Sequence, residues 1–340
     1  MNRTVFMFVL CASILQAKTV RVFFVGNSVT DGINYTALDQ ICESRGDTHT
    51  WGRCMTPGAP LGYLWNNGCG FTEAPFGDFN SALTGYTWDF LSLQPYDWTI
   101  DEDVDACKNY INLAKRRSPG LKALIFMRVP RKGEDTHILT GEDWNELWES
   151  PHTGGWNINC ESRDFYEQLC TRLRSQVSGI AGVYIAPAGE VMYELNKKML
   201  AGQVQGFSSI LDIYSDGVHL NGNGSYINGC TYYAVMYGES PQGLPYAPYG
   251  VTDASYAALV QTVAWQVVTS YQYSGVTGTG AYAPPVERDR MFDAIMKGQA
   301  EGRCFTTTGR VFDNRSANRN RVTGAVIVSS DSKPGVLISP

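Results

Sequence analysis

Val20-Arg21-Val22-Phe23-Phe24-Val25 runs into Gly26-Asn27-Ser28-Val29-Thr30-Asp31-Gly32, and a helical pattern follows over residues 34–44. An apolar run rich in β-branched and aromatic residues describes a strand covered on both faces. Strand, tight turn and helix in immediate succession form the unit from which parallel sheets are wound. Working outward, similar apolar runs at residues 88–93, 121–129 and 182–186 predict further strands. Helical periodicity falls between and after them, at 103–116, 164–177, 191–199, just beyond His219, and over 254–271. This alternation predicts an α/β protein with a parallel sheet and helices on both faces.

In open α/β sheets, ligands and reacting side chains gather at the carboxyl ends of strands. Ser28 lies at such an end, with Gly26 before it to let the backbone turn and a helix start behind it. A helix start offers amide donors and a favourable field for a developing oxyanion. Serine is also a common helix cap, so the turn alone leaves two roles open, cap or nucleophile. The GxSxG elbow of the α/β-hydrolases is not matched, because Thr30 stands at its last glycine position.

A second block favours the nucleophile. The chain has only four histidines. His219 stands in Ser215-Asp216-Gly217-Val218-His219-Leu220, followed by Asn221-Gly222-Asn223-Gly224. Asp216 is close enough in sequence for a loop to bring its carboxylate onto the imidazole. There it would fix the tautomer and stabilise the imidazolium. A helix-entry loop with Asp216 as cap and His219 merely exposed is the competing reading.

Together the two blocks resemble the SGNH (GDSL-like) hydrolase superfamily, in which a strand-end Gly-x-Ser near the N-terminus is paired with a late Asp-x-x-His. The resemblance runs from about Lys18 to Tyr273. It implies a flavodoxin-like, three-layer α/β/α domain and serine esterase chemistry with Ser28, His219 and Asp216 as nucleophile, base and orienting acid. It also implies an oxyanion hole made by the Ser28 amide, the amide of Gly58 (with Gly62 as alternative) and a side-chain amide. The superfamily's Gly-x-Asn-Asp block is replaced here by Leu91-Ser92-Leu93-Gln94-Pro95, so Gln94 stands where the asparagine is expected. Glutamine carries the same donor on a longer arm. Branches with a GNS-type first block are similar in carrying Leu-Gln. The chemistry implied needs no metal and no organic cofactor.

The bulk properties fit that reading. The chain has 340 residues, 44% of them hydrophobic, and a formal net charge of -6. An acidic balance argues against nucleic-acid or anionic-membrane partners, which favour a basic face. Residues 1–17 have the layout of a signal peptide, with Arg3 ahead of a short apolar run and Ala17 at the exit, and predict secretion or export to a periplasm. Bulky Leu10 before Cys11 disfavours lipid attachment there, and no other stretch has the length and apolarity of a membrane span.

Of nine cysteines, removing Cys11 leaves eight. An even count in an exported chain suggests disulfides, in a pairing that sequence leaves open, against a mixture of buried thiols with one or two bridges. No CxxC pair or zinc-type cluster is present, so no metal site is expected.

Residues 18–274 are thus expected to form the hydrolase domain, and 275–340 a short C-terminal appendage that includes a small hairpin. The long polar connection 131–160 is a candidate functional loop. Trp144, Trp148 and Trp156 lie in it and Trp65 and Trp98 near other loops. They are candidate platforms for sugar rings, with buried packing as the equal alternative. The expected substrate is a small-molecule or glycan ester, foremost an acetylated carbohydrate. A lipase or thioesterase for longer acyl chains, and a non-catalytic carbohydrate-binding protein on the same fold, stay open.

Overall fold

The computed structural model describes residues 17–96, 99–153 and 161–277, together with the backbone of four short strands beyond them. The expected signal peptide lies outside the described residues. Two units are separable, Met1–Tyr282 and Ala283–Pro340.

The first unit is an α/β fold around a six-stranded sheet. Its first strand, β1 (Thr19–Gly26), is central and buried from Val22 onward. It pairs in parallel with β2 (Thr48–Met55) on one side. On its other side lies β4 (Phe90–Leu93), also parallel, followed by β5 (Lys122–Phe126) and β6 (Gly182–Ala186). A two-residue strand, β3 (Phe71–Thr72), closes the far edge antiparallel to β2, giving the order β3-β2-β1-β4-β5-β6. The chain moves outward from β1 to β2 and then crosses back over β1 to β4. The carboxyl end of β1 is therefore the point where winding reverses, and a crevice opens there.

The helices are α1 (Ser28–Asp31), α2 (Tyr35–Glu43), α3 (Leu61–Asn67), α4 (Phe79–Gly85), α5 (Ile100–Ala114), α6 (Gly141–Glu149), α7 (Arg163–Gln176), α8 (Ala188–Leu200), α9 (Gly222–Tyr237) and α10 (Ala254–Ser270). They flank a sheet whose central strands, β1, β4 and β5, are buried over most of their length. The last turns of chemistry-bearing sequence feed α9, which is buried over nearly its whole length and packs on α2, α8 and α10. A helix without a polar face is a core element, and it holds the loop ahead of it rigidly.

Three features differ from the sequence expectation. First, β2 was not anticipated. Thr48-His49-Thr50-Trp51-Gly52-Arg53 mixes polar and apolar residues because only the two-residue β3 lies beyond it.

Second, the connection 131–160 is not all loop. Its middle is α6, started by a reciprocal capping box between Thr140 and Asp143. Trp144 and Trp148, four residues apart on the inner face, are both fully buried and stack at 5.6 Å. The Trp144 indole N–H donates to the Tyr214 hydroxyl (2.9 Å) and that of Trp148 to Glu190 (3.1 Å). The Trp148 ring occupies the place where a Cβ on residue 189 would sit, so glycine is required there. Neither tryptophan has a face free for a sugar, and their expected role as platforms is corrected to packing. Trp65 is likewise packed against Phe79 and Tyr110. Trp98 and Trp156 lie outside the described residues.

Third, the cysteines give one disulfide, Cys54–Cys69, and four buried thiols, Cys42, Cys107, Cys170 and Cys230, among the described residues.

The second unit contains β7 (Cys304–Thr306), β8 (Val311–Phe312), β9 (Val326–Ser330) and β10 (Lys333–Leu337), in the antiparallel order β10-β9-β7-β8. β9 and β10 form the hairpin that the tail sequence suggested. Among the described residues, no helix is long and apolar enough to cross a membrane.

Candidate active site

At the end of β1 the backbone enters α1 through Asn27, whose side-chain oxygen accepts from the Val29 amide (3.1 Å). Asn27, not Ser28, is the helix cap, which leaves the Ser28 hydroxyl free of that duty. Gly26 is needed for space rather than for turning. A Cβ there would lie 2.0 Å from the Thr30 hydroxyl oxygen and 2.9 Å from the Gln94 side chain.

Asp216 and His219 arrive on a short loop held at both ends. Tyr214 and Leu220 form an isolated antiparallel bridge, and Ser215 donates from its amide to the His219 carbonyl (2.8 Å). Asn221 closes the loop by capping α9 and by donating to the Asp212 carbonyl (2.9 Å). From outside, the Lys132 amide donates to the Gly217 carbonyl (2.9 Å). The segment carrying Lys132 is tied in turn by Arg131 to the buried Glu161 carboxylate, which Arg128 also binds.

Within this frame, His219 Nε2 lies 2.9 Å from Ser28 Oγ, and His219 Nδ1 lies 2.8 Å from Asp216 Oδ2. Asp216 Oδ1 accepts from the Val218 and His219 amides at 2.7 and 2.6 Å. These two backbone donors, His219 first, and then the imidazole lower the Asp216 pKa from 3.8 to about 2. The carboxylate is thus ionised across the neutral range. Its negative charge favours the tautomer with the proton on Nδ1, so Nε2 is left to accept from the serine hydroxyl.

Gln94 is buried beneath the turn. Its Oε1 accepts from the Asn27 amide (3.1 Å) and from the Thr30 hydroxyl. A backbone donor on Oε1 fixes which way the amide faces, and Nε2 has no acceptor among the described residues. Gly58 sits at the third position of the turn Thr56-Pro57-Gly58-Ala59 with φ +68°, a left-handed conformation that favours glycine. The Ala59 carbonyl of this turn meets the Asn27 side-chain amide (3.4 Å), which links the Gly58 loop to the serine turn. The Ser28 and Gly58 amides donate to no acceptor among the described residues. Gly62 lies in the first turn of α3.

The resulting cleft has a volume of about 660 Å³. It is lined by Ser28, His219 and Leu220, by Tyr35 and Trp51, and by polar Asp31, Asn34, Arg53 and Glu73. The His219 and Asp216 side chains are 43% and 55% exposed, so the site is open rather than a tunnel. Asn27, Thr30 and the Asp31–Arg53 pair were not singled out from sequence. Asn27 and Thr30 stand inside the quoted first block, but their partners are distant in the chain.

No family model matches the chain. Among solved structures, the fold is similar to that of a DUF4886 family protein from Bacteroides uniformis, at 16% identity and TM-score 0.54 over 74% of this chain and 95% of that one. It is more distantly similar to a carbohydrate esterase family 3 protein from Talaromyces cellulolyticus, at 13% identity and TM-score 0.41 over 68% of this chain and all of that one (100%). A protein named as a candidate SGNH hydrolase from Slackia heliotrinireducens matches at 17% identity and TM-score 0.40, over 63% and 96% of the two chains. At these identities the likeness is one of fold.

Proposed function

We propose that the chain is a serine esterase of the SGNH type that removes acetyl or other short acyl groups from carbohydrate. The observation that carries this reading is the continuous line from Ser28 Oγ through His219 to Asp216, each step within hydrogen-bond reach. Nucleophile, base and orienting acid in that order are what acyl transfer needs.

In the reaction, His219 Nε2 takes the proton of Ser28 Oγ as the oxygen attacks the ester carbonyl. Asp216 stabilises the imidazolium. The carbonyl oxygen, now an oxyanion, meets the free Ser28 and Gly58 amides and the spare Nε2 of Gln94. An unpartnered buried donor calls for an explanation, and an oxyanion present only during turnover supplies one. The imidazolium then protonates the departing alcohol, and water admitted through the open cleft releases the acyl group by the same steps.

Substrate size follows from the cleft. Its polar lining supports a hydroxylated alcohol and a short acyl group over a long hydrocarbon chain, which would desolvate Asp31 and Arg53 without compensation. The Cys54–Cys69 bridge supports export to an oxidising compartment, in keeping with the signal-peptide layout of residues 1–17. On this reading residues 18–274 are the catalytic domain and 275–340 an appendage.

The test is hydrolysis of 4-nitrophenyl acetate by wild type and Ser28→Ala. Wild-type turnover should fall by about a thousandfold or more in the variant. Equal rates would remove the esterase assignment. A series from acetyl to octanoyl esters should show activity declining beyond the short acyl groups, and a maximum at octanoyl would favour a lipase instead.

A further inference from the structure

Side chains alternate along a strand, so Trp51 and Arg53 share one face of β2. Register with β1 sets them beside Val22 and Phe24 respectively. On that face the Arg53 Nη1 donates to Asp31 Oδ2 at 3.0 Å, bringing together β2 and α1, the helix that begins at Ser28. The guanidinium lies 5.9 Å from the centre of the Tyr35 ring, and Tyr35 stacks on Trp51 at 4.8 Å with 22° between planes. Both charged side chains remain partly open, Arg53 at 24% and Asp31 at 29% exposure, and both line the cleft that holds Ser28 and His219.

The pair is under-used by the protein itself. Among the described residues, Arg53 donates only to Asp31, although a guanidinium carries five N–H groups. Its Nε and Asp31 Oδ1 are buried out of reach of the cleft, while Nη2 donates to no group among the described residues. Structural ion pairs in protein interiors are normally saturated, as Glu161 is by Arg128 and Arg131 here. A half-satisfied pair on the wall of a catalytic cleft has its outer guanidinium N–H groups and the neighbouring Asp31 Oδ2 to offer a ligand.

We propose that Asp31 and Arg53, with Trp51 and Tyr35 beside them, form the subsite that holds the alcohol side of the ester, and that the alcohol is a neutral sugar ring. This rests on the esterase reading above. Neighbouring hydroxyls on a ring each donate and accept, so a donor fork beside a carboxylate matches them better than it matches any single-signed group. Trp51, partly open and backed by the buried Tyr35, gives the ring's C–H face an apolar edge. An anionic sugar fits less well. Asp31 already neutralises Arg53, and Glu73 on the cleft wall and ionised Asp216 make the surrounding field negative. An acyl chain would bury the pair with nothing to bond.

The test compares two esters on one preparation of each variant, so that any loss of folded protein cancels. The probes are mono-O-acetylated methyl glucopyranosides and 4-nitrophenyl acetate, which lacks the sugar. The ratio of kcat/KM, sugar ester over nitrophenyl ester, should fall about tenfold or more in Arg53→Ala, mainly through KM. It should recover only in part in Arg53→Lys, which cannot reproduce the fork. An active wild type whose ratio stays within about twofold in Arg53→Ala overturns the subsite alone. A wild type inert toward both esters overturns the esterase reading and the subsite with it. Acetylated methyl glucuronosides should be the poorer substrates, and faster turnover on them would overturn the preference for a neutral ring.

Discussion

On the proposed esterase reading, Gln94 serves both the fold and the chemistry. Its Oε1 is spent on the Asn27 amide and the Thr30 hydroxyl, which shape the serine turn, and its Nε2 is left over. Gln94→Leu should therefore lower kcat by at least about a hundredfold to a thousandfold, the usual cost of losing one oxyanion donor, because it also takes the acceptor from the serine turn. Steady-state kinetics on 4-nitrophenyl acetate would check this. Asp216 gives a prediction of a different kind. Its pKa is lowered to about 2 chiefly by the His219 and Val218 amides, with the imidazole third. A depressed carboxylate contributes stability that is complete above its unfolded value near 3.8 and is lost as the pH falls through about 2. Carbon NMR of the Asp216 carboxyl should show titration near 2, rising only part of the way toward 3.8 in His219→Ala, because the backbone donors remain. The residues of the line from Ser28 to Asp216 were legible in the sequence because each block is local and its spacing carries the geometry. The atom-level division of labour in Gln94 was not, since it depends on which strand lies beside β1.

At the scale of elements, α6 and β2 explain most of what the sequence hid. The polar outer face of α6 disguised a helix as a loop, and its two inward tryptophans looked like surface aromatics. Trp148→Ala should destabilise the protein by about 3–5 kcal/mol in urea denaturation, as expected for emptying a large core site. The folded variant should keep its KM for sugar esters. A raised KM with unchanged stability would restore Trp148 to the substrate. β2 was missed because a strand next to a two-residue edge strand need not be uniformly apolar, yet it brings Arg53 to the cleft and carries the bridged Cys54 beside its last residue. That bridge spans 15 positions and encloses the Gly58 turn. By loop-closure entropy it stabilises the fold by about 3 kcal/mol. The Cys54→Ser/Cys69→Ser double variant should lose about that much in denaturant melts. It should also lose kcat, because the enclosed Gly58 turn is then held beside the serine turn less firmly, with the Asn27–Ala59 hydrogen bond left to place it.

For the whole molecule, the decisive fact is that winding reverses at β1. Reversal opens a crevice at the carboxyl end of that strand, and three separate segments converge there: the Ser28 turn, the Gly58 turn and the Asp216–His219 loop. The α/β class and most helices were legible because buried parallel strands write continuous apolar runs and their crossover helices write a clear period. Strand order was not, because nothing in a local run says which neighbour it will take. The buried α9 behind His219 and the packed β1 behind Ser28 make the two halves of the site rigid relative to each other within this unit. A serine so placed should be reactive without substrate binding energy. The most direct measurement is therefore labelling with a fluorophosphonate, followed by peptide mass mapping. We predict one adduct, on Ser28, absent in Ser28→Ala and formed far more slowly in His219→Ala. An unlabelled wild type, or a label on another residue that persists in Ser28→Ala, would contradict the account.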